Sequence, residues 1–163
     1  MLVEGLPQRI GTDYQGRAFY GLSVLSLAQW PDDLSLGSDF LAVFVVADGT
    51  TETTEELGEW ARRALAQGLV YSCSWGPGSE SVHDVVDWEE LARHNYDTTG
   101  PIIMTTWHDS ETLDEAVDFF MVSALPDKPF PLNSTAWLVV EVGTFGVLSG
   151  AQHLVAERLQ ARA

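Results

Sequence analysis

The stretch Phe40-Leu-Ala-Val-Phe-Val-Val-Ala47 is the longest clean apolar run in the chain, and it decides the fold class. The run is far shorter than the roughly 20 residues that a membrane-spanning helix needs. Its β-branched and aromatic content is typical of a strand buried on both faces of a parallel sheet. A capping box, Thr53-x-x-Glu56, then opens a helix, and Gly68 ends it. A strand followed at once by a helix predicts a βαβ unit.

The same alternation continues to the end of the chain, and it predicts a single α/β domain over residues 1–163. A helix between two strands must cross the sheet and return the chain in the same direction. We therefore expect a three-layer domain with a four-stranded, mainly parallel sheet flanked by helices, in the flavodoxin-like order 2-1-3-4. The predicted strands are 40–47, 69–75, 101–107 and 136–142. The predicted helices are 53–67, a stretch from about 81, a recapped segment 88–95, 111–125 and a C-terminal helix from about 150.

The first 39 residues are predicted to form an N-terminal extension packed on the domain, in which Leu22 to Leu27 indicates an extra edge strand.

Charge excludes several classes of partner. The chain has 163 residues, a formal net charge of −16 and only eight basic side chains. Proteins bind nucleic acids by neutralising phosphates with Lys and Arg, so we predict no nucleic-acid binding. An anionic membrane surface would repel the chain as well. Net charge also keeps proteins soluble, so the acidity indicates either solubility alone or a basic protein partner or metal.

Cys73 is the single cysteine, which rules out a disulfide within the chain and fits a cytoplasmic protein. The N-terminus lacks the basic and apolar regions of a signal peptide.

The predicted functional surface lies at the carboxyl ends of the strands, where open parallel sheets bind ligands. In the order 2-1-3-4, Asp48 would face His108 and Asp109 across a crevice between the first and third strands. Trp75 and Trp107 end two strands there, and they could line a pocket, anchor an interface or roof the core. The candidate binding residues are Asp48, Trp75, Gly76, Asp84, Trp107, His108 and Asp109.

Acidic residues concentrate near the same predicted edge. The segments 48–59, 80–90 and 109–118 hold fifteen of the 24 acidic residues and no Lys or Arg. Part of this clustering follows from topology, because each helix start favours acids by about 0.3–1 kcal/mol. The missing basic neighbours indicate a surface that selects cations.

Three catalytic interpretations are weaker than their structural alternatives. His83, His108 and Asp109 could ligate zinc with nearby aspartates, but they lack a diagnostic spacing, so we predict no metal and no cofactor. Cys73 could be a nucleophile served by a histidine, yet it lies in an apolar strand of an acidic protein and favours a buried role. Gly76-Pro-Gly-Ser79 stands where anion-binding loops occur, but it matches no phosphate-binding motif and favours a tight turn.

Three segments carry a family resemblance: Cys73-Ser-Trp75-Gly76, His83-Asp84-Val-Val-Asp87, and Met104-Thr-Thr-Trp107-His108-Asp109 with the acidic helix that follows. Over roughly residues 65–127 the chain resembles an uncharacterised bacterial family, a domain of unknown function. The resemblance implies a domain and no activity. Ser79 stands where the family pattern has a second cysteine, and His83 where it has an acid.

Two functions from different classes therefore stay open. One is a non-catalytic interaction module, of regulatory or immunity type, whose acidic edge docks a basic protein. The other is a small metal-assisted enzyme that uses Asp48, His108 and Asp109. The sequence leaves the oligomeric state open.

Overall fold

The computed structural model describes residues 5–47, 52–143 and 150–162, which fold around one six-stranded sheet. The strands are β1 (Gln8–Thr12), β2 (Ala18–Val24), β3 (Phe40–Val46), β4 (Leu69–Trp75), β5 (Met104–His108) and β6 (Thr135–Val142). The helices are α1 (Thr54–Ala66), α2 (Ser79–Arg93), α3 (Leu113–Val122) and α4 (Ala151–Ala161), with 3-10 turns at Leu27–Gln29 and Leu132–Ser134. In the part of the chain described, no helix has the length and apolarity to cross a bilayer.

The strand order is β1-β2-β6-β3-β4-β5. All neighbouring strands are parallel except β1 and β2, which form an antiparallel hairpin. The α/β class and the parallel pairing of the four predicted strands are confirmed. The number of strands was wrong, because the N-terminal extension adds β1 and β2 to the sheet.

The predicted order 2-1-3-4 was also wrong: the four predicted strands lie in the order 4-1-2-3. Helices α1 and α2 both pack on one face of the sheet, so the chain advances steadily from β3 to β4 to β5. Helix α3 packs on the other face and returns the chain past β3 to β6. A right-handed crossover moves in opposite directions on opposite faces, so the choice of face sets the order.

The N-terminal strand is not at the edge. Residues 18–24 form β2, which pairs with β6 along its whole length, and only β1 lies outside it. Arg17, at the start of β2, fixes this hairpin to the helical layer. Its Nε lies 2.7 Å from Asp13 Oδ2, its Nη2 donates to the Met121 carbonyl oxygen, and its guanidinium lies 4.6 Å from the ring centre of Trp137. Both charged side chains are almost fully buried.

Two apolar layers cover the sheet. Alternate residues of β3 enter different layers: Leu41, Val43 and Val45 pack with α1 and α2, and Ala42, Phe44 and Val46 pack with α3 and α4. This alternation is the pleat of a strand buried on both sides.

Helix α2 is continuous from Ser79 to Arg93, so the predicted recapping at Asp87 was wrong. Asp87 instead accepts a hydrogen bond from Thr105 Oγ1 on β5. The capping boxes of α1 (Thr53 and Glu56) and α3 (Thr112 and Glu115) are both present.

Gly68 forms the turn between α1 and β4, and it is glycine for two reasons. Its φ is +96°, and a Cβ at this position would lie 2.0 Å from the Asp39 carbonyl oxygen. A side chain would therefore be strained and would also collide with fixed backbone.

We expect Gly68→Ala to lower the free energy of unfolding by more than about 1 kcal/mol, measured by urea denaturation. Gly16→Ala separates the two causes, because Gly16 has φ +81° but open space around its Cβ position. Gly100→Ala, which has neither problem, is the neutral control. If the three variants unfold at the same urea concentration, the close approach to Asp39 does not matter.

Candidate functional site

Strand β5 separates the predicted site residues into two groups. Successive residues of a strand point to opposite faces. Trp107 lies on the α2 face, where its ring centre is 4.4 Å from that of His83. His108 lies on the α3 face, where its ring centre is 4.6 Å from that of Phe119. The structure therefore brings Trp107 together with His83 and Asp84, and it keeps His108 apart from them.

His108 is buried and tied to the loop that follows it. Its Nδ1 lies 2.7 Å from Glu111 Oε2, while its Nε2 is buried without a hydrogen-bond partner. The indole of Trp75 donates to the Glu111 carbonyl oxygen at 2.8 Å, and the Gly76 N–H donates to the His108 carbonyl oxygen at 3.1 Å. Trp75, Gly76 and His108 thus hold the carboxyl ends of β4 and β5 together, with only Trp75 partly exposed.

The weak metal candidates do not converge. His83 Nδ1 lies 3.0 Å from Asp84 Oδ1 on its own helix, and its Nε2 lies 3.4 Å from Asp87. His108 is on the opposite face of the sheet, and Asp109 is exposed beyond it. No group of three or more metal-ligating side chains occurs within residues 5–47, 52–143 and 150–162. Asp48 lies outside these described residues, and β4 separates β3 from β5, so the predicted crevice between those strands is absent.

Cys73 is fully buried in β4, on the face that packs against α3 and α4. Burial raises the pKa of its thiol to about 12. A hydrogen bond with Thr106 acts in the opposite direction, and the negative charge of Glu111 adds to the rise in this pKa. A nucleophilic cysteine needs a lowered pKa and access to substrate, so Cys73 is placed as a core residue.

The acidic segments are distributed more widely than we predicted. Because α2 is continuous and rises about 1.5 Å per residue, it carries Glu90 roughly 16 Å from its first residue, away from the carboxyl edge. Some acids also have basic partners from distant parts of the chain. Arg158 on α4 bridges Asp114 and Asp118, and Arg62 bridges Glu89. The linear count missed these pairs because they join separate helices.

A smaller acidic group does lie beside β5. Its carboxylates come from the first turns of α2 and from the loop after β5. We call these four residues the β5 acidic group: Glu80, Asp84, Asp109 and Glu111. None of the four forms an ion pair with Lys or Arg in the described structure. Trp107, with 43% of its surface accessible, lies against His83, the residue before Asp84 on α2.

The topological switch point of the observed sheet lies between β3 and β6, where ligands bind in folds of this class. On the β6 side of this switch point, the titratable residue is Glu141, near the end of β6. The Glu141 carboxylate is buried and accepts the Gln152 N–H at 2.8 Å, at the start of α4. Burial raises the pKa of Glu141, although hydrogen bonds from the backbone N–H groups of Gln152 and Ala151 lower it in part. The sequence showed an acid at a strand end, but only the strand order reveals its central place.

A cavity of about 680 Å³ lies at the opposite, amino-terminal edge of the sheet. Its floor is apolar and includes Phe40, Leu69 and Ile103, while Glu90 and His94 of α2 lie at its side. No local pattern in the sequence indicates this cavity, because its lining comes from separate elements, including the end of α2 and the loop before β5.

The family resemblance is confirmed by comparison with known proteins. The model of a family described as a domain of unknown function (DUF7684) matches residues 22–146. Neither the curated proteins nor the solved structures gave a match.

We expect Cys73 to react with a thiol reagent far more slowly in the folded protein than in urea at neutral pH, because the thiol is protonated and enclosed. Stability should also fall between about pH 9, the ordinary pKa of the thiol, and pH 12, because only the unfolded chain ionises there. Cys73→Ala should weaken this alkaline loss in denaturant titrations. Labelling of the folded protein as fast as that of a free thiol would restore the nucleophile interpretation.

For Glu141 the folded pKa lies above the ordinary value of 4.5, so its contribution to stability is present at lower pH and lost as pH rises through the folded pKa. We expect Glu141→Gln to reduce this loss, measured by urea unfolding at pH 4 and pH 7. Glu157→Gln, an exposed change on α4, should keep the wild-type pH dependence. An identical pH dependence in Glu141→Gln and wild type would contradict this role.

Proposed function

We propose that this chain, which belongs to the family of domains of unknown function DUF7684, is a non-catalytic acidic interaction module that docks a basic protein. We place it in the cytoplasm, in a regulatory or immunity role. The observation that carries the proposal is the exposed indole of Trp107, which lies against His83 of α2 beside Asp84, while the other members of the β5 acidic group are carried by the start of α2 and the loop after β5. Interfaces are enriched in aromatic anchors surrounded by a polar rim.

The chemistry of the partner follows from the charges. Glu80 and Asp109 are exposed and make no hydrogen bond or ion pair in the described structure. Carboxylates in that state attract Lys and Arg of a partner and repel phosphate, so a basic protein suits this surface better than a nucleic acid or an anionic membrane.

Burial supports an interface more than a reaction centre. The metal-assisted alternative needs His108 and Asp109 to act together on a substrate. His108 is 7% exposed, its Nδ1 pairs with Glu111, and its free Nε2 is enclosed. Trp107, Asp84 and Asp109 are open to solvent, on β5, on α2 and in the loop after β5.

Charge should steer the association. Partners are captured from the native host at low salt, identified by mass spectrometry and purified for kinetic measurements. We expect Glu80→Gln with Asp109→Asn to lower the on-rate severalfold at low salt, since steering accelerates encounter. The double variant Asp39→Asn with Glu157→Gln removes the same charge far from β5 and should change the on-rate little. The on-rates are measured at low and at high salt. Partners that are acidic, or on-rates that are equal for the two double variants and do not change with salt, would overturn the proposal.

Trp107 should act on the off-rate. We expect Trp107→Ala to raise the off-rate about tenfold or more, because a buried aromatic anchor contributes about 2 kcal/mol or more to an interface. Tyr14→Ala is the control, since Tyr14 is an exposed aromatic residue between β1 and β2, at the opposite edge of the sheet from β5. Equal off-rates for the two variants would remove Trp107 from the interface.

A further inference from the structure

We infer that β5 is an open docking edge on which an extended basic segment of the partner pairs as an added strand. This inference rests on the proposed function, and it specifies the mode of binding and the chemistry of the bound segment. Strand addition of this kind takes its affinity from main-chain hydrogen bonds and its specificity from side chains on the two faces.

The backbone of β5 presents free hydrogen-bonding groups. In a parallel pair, alternate residues direct both N–H and C=O to the same neighbour. The His108 carbonyl accepts from Gly76 next to β4, so Met104, Thr106 and His108 face β4. Thr105 and Trp107 therefore direct their N–H and C=O groups outward. Within the described chain, β5 has no neighbour on that side.

Side-chain exposure shows that this edge is open. Trp107 is 43% exposed, Met104 is 37% exposed and Ile102, just before the strand, is 59% exposed. A segment packed along the whole edge would leave these side chains less exposed. The loop after α3 meets the chain at Ile102, whose N–H donates to Asp127 Oδ2 at 3.1 Å, before β5 begins. The outward backbone groups of Thr105 and Trp107 are thus within reach of another chain.

The opposite edge of the sheet is protected, and β5 is not. Natural edge strands resist pairing through charges, prolines and bulges. Strand β1 carries Arg9, and its pairing with β2 shifts register between Arg9 and Gly11. Strand β5 contains no charged Lys, Arg, Asp or Glu and no proline, and its pairing with β4 is regular. Its only protection is its length of five residues.

Charge selects the occupant. A second copy of this chain would bring another net charge of −16 and a second β5 acidic group to the same edge. Like charges placed opposite each other across a strand pair are destabilising. A basic segment instead places its Lys or Arg beside Asp84 on the α2 face and beside Glu111 on the α3 face. Its apolar residues would contact Trp107 and Met104.

The test uses a peptide of about ten residues with capped termini, in which lysine and threonine alternate, long enough to span β5. In one N-methylated form the backbone nitrogens of the lysines are methylated, and in the other those of the threonines are methylated. Added as a strand, the peptide directs only one set of its N–H groups at β5. We expect one methylated form to lose at least tenfold in affinity and the other to bind like the parent, by isothermal titration. The peptide should also slow hydrogen exchange at the Thr105 and Trp107 amides.

A change in the protein tests the same groups. Thr105→Pro removes an outward N–H, and proline is tolerated where an edge strand faces solvent. Thr105→Val keeps that N–H but removes the hydroxyl bond to Asp87, so it controls for the lost side-chain contact. We expect Thr105→Pro to weaken peptide binding at least tenfold relative to Thr105→Val, with both variants folded by circular dichroism. If Thr105→Pro does not fold, the methylated peptides decide alone.

The outcomes separate this inference from the proposed function. Salt-sensitive binding that both methylated peptides retain would overturn strand addition and leave the acidic surface as the docking site. A glutamate-threonine peptide that binds as well as the lysine-threonine peptide would overturn the basic partner and the proposed function with it. Self-association through β5, seen as a dimer by sedimentation with the Thr105 amide protected in the absence of peptide, would replace the basic segment by a second copy.

Discussion

The structure depends on the burial of β3 on both of its faces. Each face of this strand carries apolar side chains that must be removed from water, and each buried aliphatic or aromatic side chain contributes about 1.5–3 kcal/mol. A helix can cover only one face. The chain therefore needs α1 and α2 on one side and α3 and α4 on the other, and the aromatic cluster of Phe44, Phe120 and Trp137 fills the second layer. The three-layer architecture follows from this requirement.

The position of the candidate surface follows from the same division. Two successive crossovers on one face carry the chain outward to β5, and the return through α3 leaves β5 at the edge. The other edge is closed by the β1–β2 hairpin, which Arg17 holds to the Met121 carbonyl oxygen. A buried ion pair such as Asp13–Arg17 gives little net stability, but breaking it by removing one partner is costly. It serves to fix where the hairpin lies.

The residues themselves predicted the elements well and their arrangement poorly. The pattern from Phe40 to Ala47 and the capping box at Thr53 are local signals, and both were confirmed. The predicted strand order was wrong because the direction of each crossover depends on which face of the sheet its helix covers. No local sequence pattern shows which face that is. That error also misplaced the crevice expected at Asp48. The sequence left Trp107 open between lining a pocket, anchoring an interface and roofing the core. The separation of His83 from His108 depends on the alternation of β5, which the prediction of a strand over 101–107 already contained.

Strand β5 is the place where local rules and the global fold disagree. The chain is strongly acidic, and acids border β5 at both α2 and the following loop, yet the strand itself carries none of the charges that would guard an edge. In natural proteins, local sequence preferences usually agree with the overall fold, and positions where they disagree are concentrated at functional sites. We propose that this uncharged, regular edge inside an acidic border admits a basic extended chain and disfavours both copies of the same chain and anionic ligands. In the proposed function the acidic border is the selective element and the strand edge is the binding element.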